Sequence, residues 1–154
     1  MRFIRGNLLD AEVEALVNAV NTVGVMGKGI ALAFKQRYPE NFTAYAVACQ
    51  AGEVQVGRMF VHRQAAGDLP QWIINFPTKR HWRDPTRIEW VETGLAALAE
   101  VIRANQIRSI ALPALGCGNG GLGWDQVRPK IETTFSHMPE VEVLVFEPLE
   151  ISRP

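Results

Sequence analysis

The 154-residue chain has little of most features that betray a class at first sight. Its two cysteines, Cys49 and Cys117, lie far apart and in no metal-ligand spacing. That argues against a disulfide framework or a cysteine zinc site and fits a reducing compartment. The three histidines, His62, His81 and His137, are scattered and make no ligand set. No apolar run approaches the roughly 18 residues of a membrane span, and no charged-then-apolar leader opens the chain. The reading is therefore a cytoplasmic protein with no membrane contact. Net charge is also missing, with 16 Lys+Arg against 16 Asp+Glu, so any nucleic-acid contact must come from a local patch. There is no repeat, low-complexity segment or heptad, and a monomer is expected. What remains is an ordinary globular composition, 47% hydrophobic and 21% charged, of one-domain length.

Glycine breaks this evenness. Eight of the 13 glycines fall in two stretches. The first holds Gly24, Gly27 and Gly29, between the apolar run Ala15, Leu16, Val17 and a helix-like pattern. The second, Gly116 to Gly123, follows Ile110, Ala111 and Leu112. Glycines admit close backbone approach and positive φ, and a helix start supplies unpaired N–H groups, so each stretch is a seat for phosphate. Neither a dinucleotide fingerprint nor a P-loop is present, since the glycine spacing and the missing Gly-Lys-Ser/Thr exclude both. One glycine stretch alone equally describes a tight turn; two, each after a strand, point to a diphosphate held between them.

The pattern predicts strands at Phe3-Ile4, Glu14 to Ala19, Met59 to Val61, Trp72 to Phe76, Ser109 to Leu112 and Val141 to Phe146. Ile30, Phe34 and Tyr38 mark a helix that Pro39 ends, and Asn41 to Gln50 a second. A third opens at Thr86, with Glu89 completing a capping box, and carries Ile88, Val91, Leu95, Leu98 and Ile102. Trp124, Val127, Ile131 and Phe135 mark the last, with Asp125 as its N-cap and Trp124 in the core. Alternating strands and helices give an α/β domain, with a largely parallel sheet between helix layers and ligands at the carboxyl ends of its strands. The domain is expected to cover 1–148, with 149–154 a tail that begins a linker to a further C-terminal domain.

Several residues carry candidate chemistry. Asn21, beside the glycines, is read as an amide for a ribose hydroxyl, and Asn18 as a bridge within the turn. The segment Asn75 to Arg83 leaves a strand with Lys79, Arg80 and Arg83 around Trp82, followed by Arg87. Cations around an exposed indole suit a nucleic-acid strand; a solvated loop with Trp82 packed inward is the plainer alternative. Lys79 sits at a strand's carboxyl end, where Arg80, Arg83 and His81 nearby would favour the free amine of a nucleophile. Neutralising a phosphate is the commoner task for such a lysine. Cys117 has no base nearby and is read as a small wall residue.

Together these residues resemble the macrodomain family of ADP-ribose binders, from Gly6-Asn7-Leu8 through Asn18, Asn21 and both glycine loops to Phe146. Asn75 to Lys79 and Gly116-Cys117-Gly118 narrow the resemblance to the branch of terminal ADP-ribose protein glycohydrolase and the DarG-type antitoxins. The resemblance implies a three-layer α/β/α fold with a mixed, largely parallel sheet, and no cofactor or metal. It implies an ADP-ribose site of Asn7, Leu8, Asn18, Asn21, Gly24, Met26, Gly27, Gly29, Ile30, Ala31 and Thr78. Gly116, Cys117, Gly118, Asn119, Gly120, Gly121 and Leu122 would close over the diphosphate. Lys79 is implied as the catalytic lysine at the anomeric carbon of the distal ribose.

Two positions depart from the family pattern. Asn7 stands where an Asp usually binds the adenine amino group, and Gly120 where protein-directed relatives carry an Asp. Without that acid, a leaving group that departs as a stable anion is favoured, such as a thymine ring nitrogen or an ester. The expectation is a glycohydrolase that removes ADP-ribose from thymidine in single-stranded DNA. Arg80, Trp82 and Arg83 would touch the strand, and the partner would be a DNA ADP-ribosyltransferase toxin that the protein counters as antitoxin. A hydrolase of Glu- or Asp-linked ADP-ribose on protein, and a non-enzymatic ADP-ribose reader, are the alternatives.

Overall fold

The computed structural model describes residues 1–65 and 67–148. Six strands form one sheet: β1 (Arg2–Ile4), β2 (Ala15–Asn21), β3 (Phe60–Arg63), β4 (Trp72–Lys79), β5 (Ser109–Pro113) and β6 (Glu142–Phe146). Their order is β1-β6-β5-β2-β4-β3, parallel except for the β3–β4 hairpin. The helices are α1 (Gly29–Arg37), α2 (Pro39–Gln50), α3 (Ile88–Ala104) and α4 (Trp124–Ser136).

Strand alternation sorts side chains to two faces. Ala15, Val17, Ile74, Phe76, Ile110 and Leu112 meet Val91, Leu95, Leu98 and Ile102 of α3 and Val127, Ile131 and Phe135 of α4. On the opposite face Leu16, Ile73, Ala111 and Leu144 pack on Phe34 of α1, and Val20 on Tyr45 and Ala48 of α2. This is the three-layer α/β/α architecture that the alternation of elements predicts. No helix among the described residues is long and apolar enough to cross a membrane.

The α1–α2 face also buries three amides. Asn18 of β2 stands in register with Asn75 of β4, and both are wholly inaccessible, as is Asn41 of α2. Asn75 Nδ2 donates to Asn41 Oδ1 at 2.8 Å and to the Phe60 carbonyl at 3.1 Å. Its Oδ1 accepts from Asn41 at 3.2 Å and from Asn18 at 3.4 Å. A buried amide is tolerated only when paired, so this ladder fixes α2 and β3 against the central strands.

Two helix starts differ from the sequence reading. The N-cap of α3 is Arg87, and its side chain makes no capping bond, so the Thr86–Glu89 capping box does not form. Thr86 is instead drawn to the second glycine loop. Asp125 lies inside the first turn of α4; the N-cap is Gly123, whose N–H donates to Gln126 Oε1 at 3.3 Å. Trp124 is half-buried and packs against the rim of the core, edge-on to Phe3. The expected tail, 149–154, lies outside the described residues.

Asn75 is the hub of the amide ladder. Asn75→Ala should lower unfolding free energy by ~2–3 kcal/mol in urea denaturation, since it removes both partners of the buried Asn41 amide and the oxygen acceptor of Asn18 Nδ2. A loss under ~0.5 kcal/mol would show that the ladder contributes nothing.

Candidate active site

A cleft of about 1100 Å³ opens above the carboxyl ends of β2, β4, β5 and β6. Those strands contribute Asn21, Lys79, Pro113 and Phe146 to its lining. A second hollow of about 540 Å³ lies on α2 between Glu40 and Glu53, with mostly apolar side chains and no convergent polar groups. The cleft over the strand ends is where the chemistry can occur.

Its first wall is the Gly24–Gly29 loop. The loop is shaped by Asn21, whose Oδ1 accepts from the N–H groups of Val23 at 3.1 Å and Val25 at 3.3 Å. Asn21 Nδ2 donates to the Val25 carbonyl at 2.8 Å, and the buried Tyr45 hydroxyl lies 2.9 Å from Oδ1 and 2.7 Å from the Asn21 carbonyl. Burial, then the neighbouring Cys49, raises the Tyr45 phenol, which keeps its proton and serves as donor. The turn-bridging duty read for Asn18 thus belongs to Asn21. One Nδ2 hydrogen of Asn21 remains for a ligand, since an amide carries two. Beyond the loop, Gly29, Ile30 and Ala31 begin α1 with the free N–H groups of a helix start, and all three line the cleft.

The floor is the end of β4. The β2–β4 register runs Val20 to Pro77 and then Asn21 to Lys79, slipping by one residue at Thr78. The slip sets Lys79, rather than Thr78, opposite Asn21. Lys79 Nζ donates to the Trp82 carbonyl at 3.0 Å. The guanidiniums expected around it lie instead on indoles: Arg83 over Trp82 at 4.4 Å and Arg80 over Trp90 at 5.3 Å. Trp82 is 42% exposed and lines the cleft, so it is not packed inward.

The second wall is Gly116–Gly121. It is pinned by Thr86, whose N–H donates to the Gly120 carbonyl at 2.8 Å, and Leu122 N–H closes it on the Gly116 carbonyl at 3.0 Å. A Cβ on Gly120 would stand 2.5 Å from Thr86 Oγ1, and one on Gly116 would stand 2.9 Å from Thr86 Cγ2. Gly116 also has φ +75°, a conformation that L residues rarely adopt. Thr86 therefore fills the space that a side chain at 120 needs. The two walls approach each other at Gly29, whose Cβ direction meets Asn119 Nδ2 at 3.7 Å. Cys117 lines this wall; burial, then the Asp125 charge, pushes its thiol up to about 11, so it stays protonated at neutral pH.

Of the sequence candidates, Asn7, Leu8, Asn21, Gly27, Gly29, Ile30, Ala31, Thr78, Lys79, Trp82 and Gly116 through Gly120 line this cleft. Asn18 and Met26 do not: both are buried, with Asn18 Nδ2 3.7 Å from the Met26 sulfur beneath the loop. Gly24, Gly121, Leu122, Arg80 and Arg83 stand outside the lining. Asn7 caps a short 3-10 turn, with Leu9 N–H donating to its Oδ1 at 3.1 Å, so that oxygen is already half used. Sequence reasoning missed Val25, Lys28, Ala114, Phe146 and Glu147 as lining residues. Val25 and Lys28, both inside the first glycine loop, had a signal that could have found them.

The signature of the Macro domain family matches residues 17–131. The chain belongs to the macrodomain family. The macrodomain is 55% identical over 150 residues to a Thermus aquaticus protein named DNA ADP-ribosyl glycohydrolase, covering 97% of this chain and 42% of that one. The chain thus spans less than half the length of that curated relative. The solved macrodomain of Thermus aquaticus DarG matches with a TM-score of 0.92 and 56% identity, over 96% of this chain and 97% of that one. Thermosipho africanus DarTG, solved in complex with ADP-ribose, matches with a TM-score of 0.91 and 33% identity, over 99% of this chain and 42% of that one. The curated Thermosipho africanus match is named a DNA ADP-ribosyl transferase–DNA ADP-ribosyl glycohydrolase fusion protein.

Two measurements check this macrodomain site. Gly120→Asp alone should cost ~1–3 kcal/mol of stability through overpacking, and Thr86→Ala should relieve it, giving a coupling of at least ~1 kcal/mol in a double-mutant cycle. Additive effects would contradict the contact. Alkylation of Cys117 by iodoacetamide should be slow at pH 7.5 and climb about tenfold per pH unit towards pH 11, because a raised pKa withholds thiolate. A rate that levels off by about pH 8.5 would contradict the burial assigned to it.

Proposed function

We propose that this macrodomain is an ADP-ribosyl glycohydrolase that releases ADP-ribose from thymidine in single-stranded DNA. The observation that carries this reading is Lys79 held opposite Asn21 on the floor of a cleft walled by two glycine loops. The names of its Thermus and Thermosipho relatives support the coarser part of it, an ADP-ribosyl glycohydrolase that acts on DNA. In this reading the adenosine lies towards Asn7 and Leu8. The diphosphate meets the N–H groups that begin α1 and the Gly116–Gly120 backbone, where amide dipoles favour anionic oxygens. The distal ribose reaches Asn21 Nδ2 and Lys79.

Lys79 acts at the anomeric carbon, as nucleophile or as the charge that steadies the transition state. The bond from that carbon to the thymine ring nitrogen breaks, and its electron pair leaves on the base. Water supplies the oxygen that ends on the anomeric carbon and the proton that ends on thymine. A ring nitrogen that leaves as a stable anion needs little acid help. That suits a second wall that is bare at Gly120 and has no room for a carboxylate beside Thr86. Arg80, Trp82 and Arg83 contact the strand at the cleft mouth. In the cell the domain acts as the antitoxin of a DNA ADP-ribosyltransferase, working as a cytoplasmic monomer.

A single-stranded oligonucleotide bearing ADP-ribose on thymine tests this directly. The parent should release free ADP-ribose, and Lys79→Ala should slow release by at least ~100-fold while still binding ADP-ribose. Tight ADP-ribose binding by the parent with no release from DNA would sink the DNA hydrolase. Release only from Glu- or Asp-linked protein would install the protein hydrolase in its place.

A further inference from the structure

The connection from Arg80 to Arg87 and the first turn of α3 carry a surface that begins at the cleft mouth and extends past the residues assigned to the cleft, to Arg87 and Trp90. Arg80 and Arg87 both lie over the ring of Trp90, at 5.3 and 5.5 Å, and Arg83 lies over Trp82 at 4.4 Å. All three arginines are exposed. Among the described residues none of them forms an ion pair, and none donates a guanidinium hydrogen bond. Asp84 and Glu89 are in the same segment, yet neither pairs with them. A guanidinium that lies over an indole and makes no ion pair keeps its N–H donors free for a phosphate.

The surface is also anchored at both ends. The Arg80 carbonyl accepts from Thr22 Oγ1 at 2.8 Å and Thr22 N–H at 3.2 Å, tying the segment to the first glycine loop. Thr86 N–H ties its other end to Gly120 of the second loop at 2.8 Å. In between, the Trp82 carbonyl holds Lys79 Nζ. A row of cations and indoles, its backbone tied to both glycine loops, therefore starts at the cleft mouth with Trp82 and continues to Trp90 in the first turn of α3.

We propose that this row is a track for single-stranded nucleic acid: the strand leaves the cleft across Trp82 and continues over Trp90. Arg83, Arg80 and Arg87 take successive phosphates, and the two indoles offer stacking faces, so the contact tolerates sequence. With 16 cations balanced by 16 anions overall, the binding is local to this row and needs no basic protein. The track rests on the hydrolase reading for its purpose, but strand binding itself does not require hydrolysis.

The experiment uses an unmodified, fluorescently labelled oligothymidine of about 15 nucleotides, long enough for one such site, and follows anisotropy from low to physiological salt. Arg87→Ala should weaken binding several-fold and reduce the slope of log K against log salt by about 0.7. Trp90→Leu should cost between about fivefold and a hundredfold. Both variants should keep the parent's affinity for free ADP-ribose, since neither residue lines the cleft. Oligothymidine affinity and salt slope that match the parent in both variants would overturn the track. A parent that binds the oligonucleotide through these residues but never releases ADP-ribose would sink the hydrolase and leave the track standing.

Discussion

The cleft depends on how the end of β4 and the segment after it are tied to both glycine loops. Glycine loops alone have no fixed shape, because residues without side chains pay the largest entropy on ordering. Here each loop is held by a neighbour that does have side chains. Asn21 closes the first from within, through Val23 and Val25, and Thr22 fastens it to the Arg80 carbonyl. Thr86 fastens the second through Gly120. Lys79 lies between these two ties, and its ammonium is already aimed by the Trp82 carbonyl. A site arranged in this way loses little freedom when a flexible diphosphate ligand arrives.

Beneath it the polar groups of the core serve the same end. The amide ladder of Asn18, Asn75 and Asn41 sits one layer below the first loop and locks α2, so that Tyr45 can reach up to Asn21. The buried phenol and the buried amides are costly alone and stable only together. That couples the stability of the α2 layer to the shape of the ligand wall.

The sequence disclosed the layers well because they follow from pattern. The strand and helix positions, the parallel sheet and the two loops at strand ends were all legible from apolar period and glycine placement. Lys79 was legible by position, although the one-residue slip at Thr78 that aims it was not. Nothing local distinguished Asn18 from Asn21: both are asparagines near the same turn, and only strand alternation and the register with Asn75 separate a core amide from a loop amide. Thr86 followed by Glu89 satisfied the local capping rule, yet the tertiary bond to Gly120 took Thr86 away from the helix. Cleft residues such as Phe146 and Glu147 come from the far edge of the sheet, a closeness that sequence spacing does not carry.

The most direct test of the account is a structure of the Lys79→Ala variant with ADP-ribose bound. The account predicts the diphosphate between Gly27–Ala31 and Gly116–Gly120, with the anomeric carbon of the distal ribose facing position 79 beside Asn21. A distal ribose turned towards the α2 side, or a diphosphate that meets only one of the two glycine loops, would contradict it.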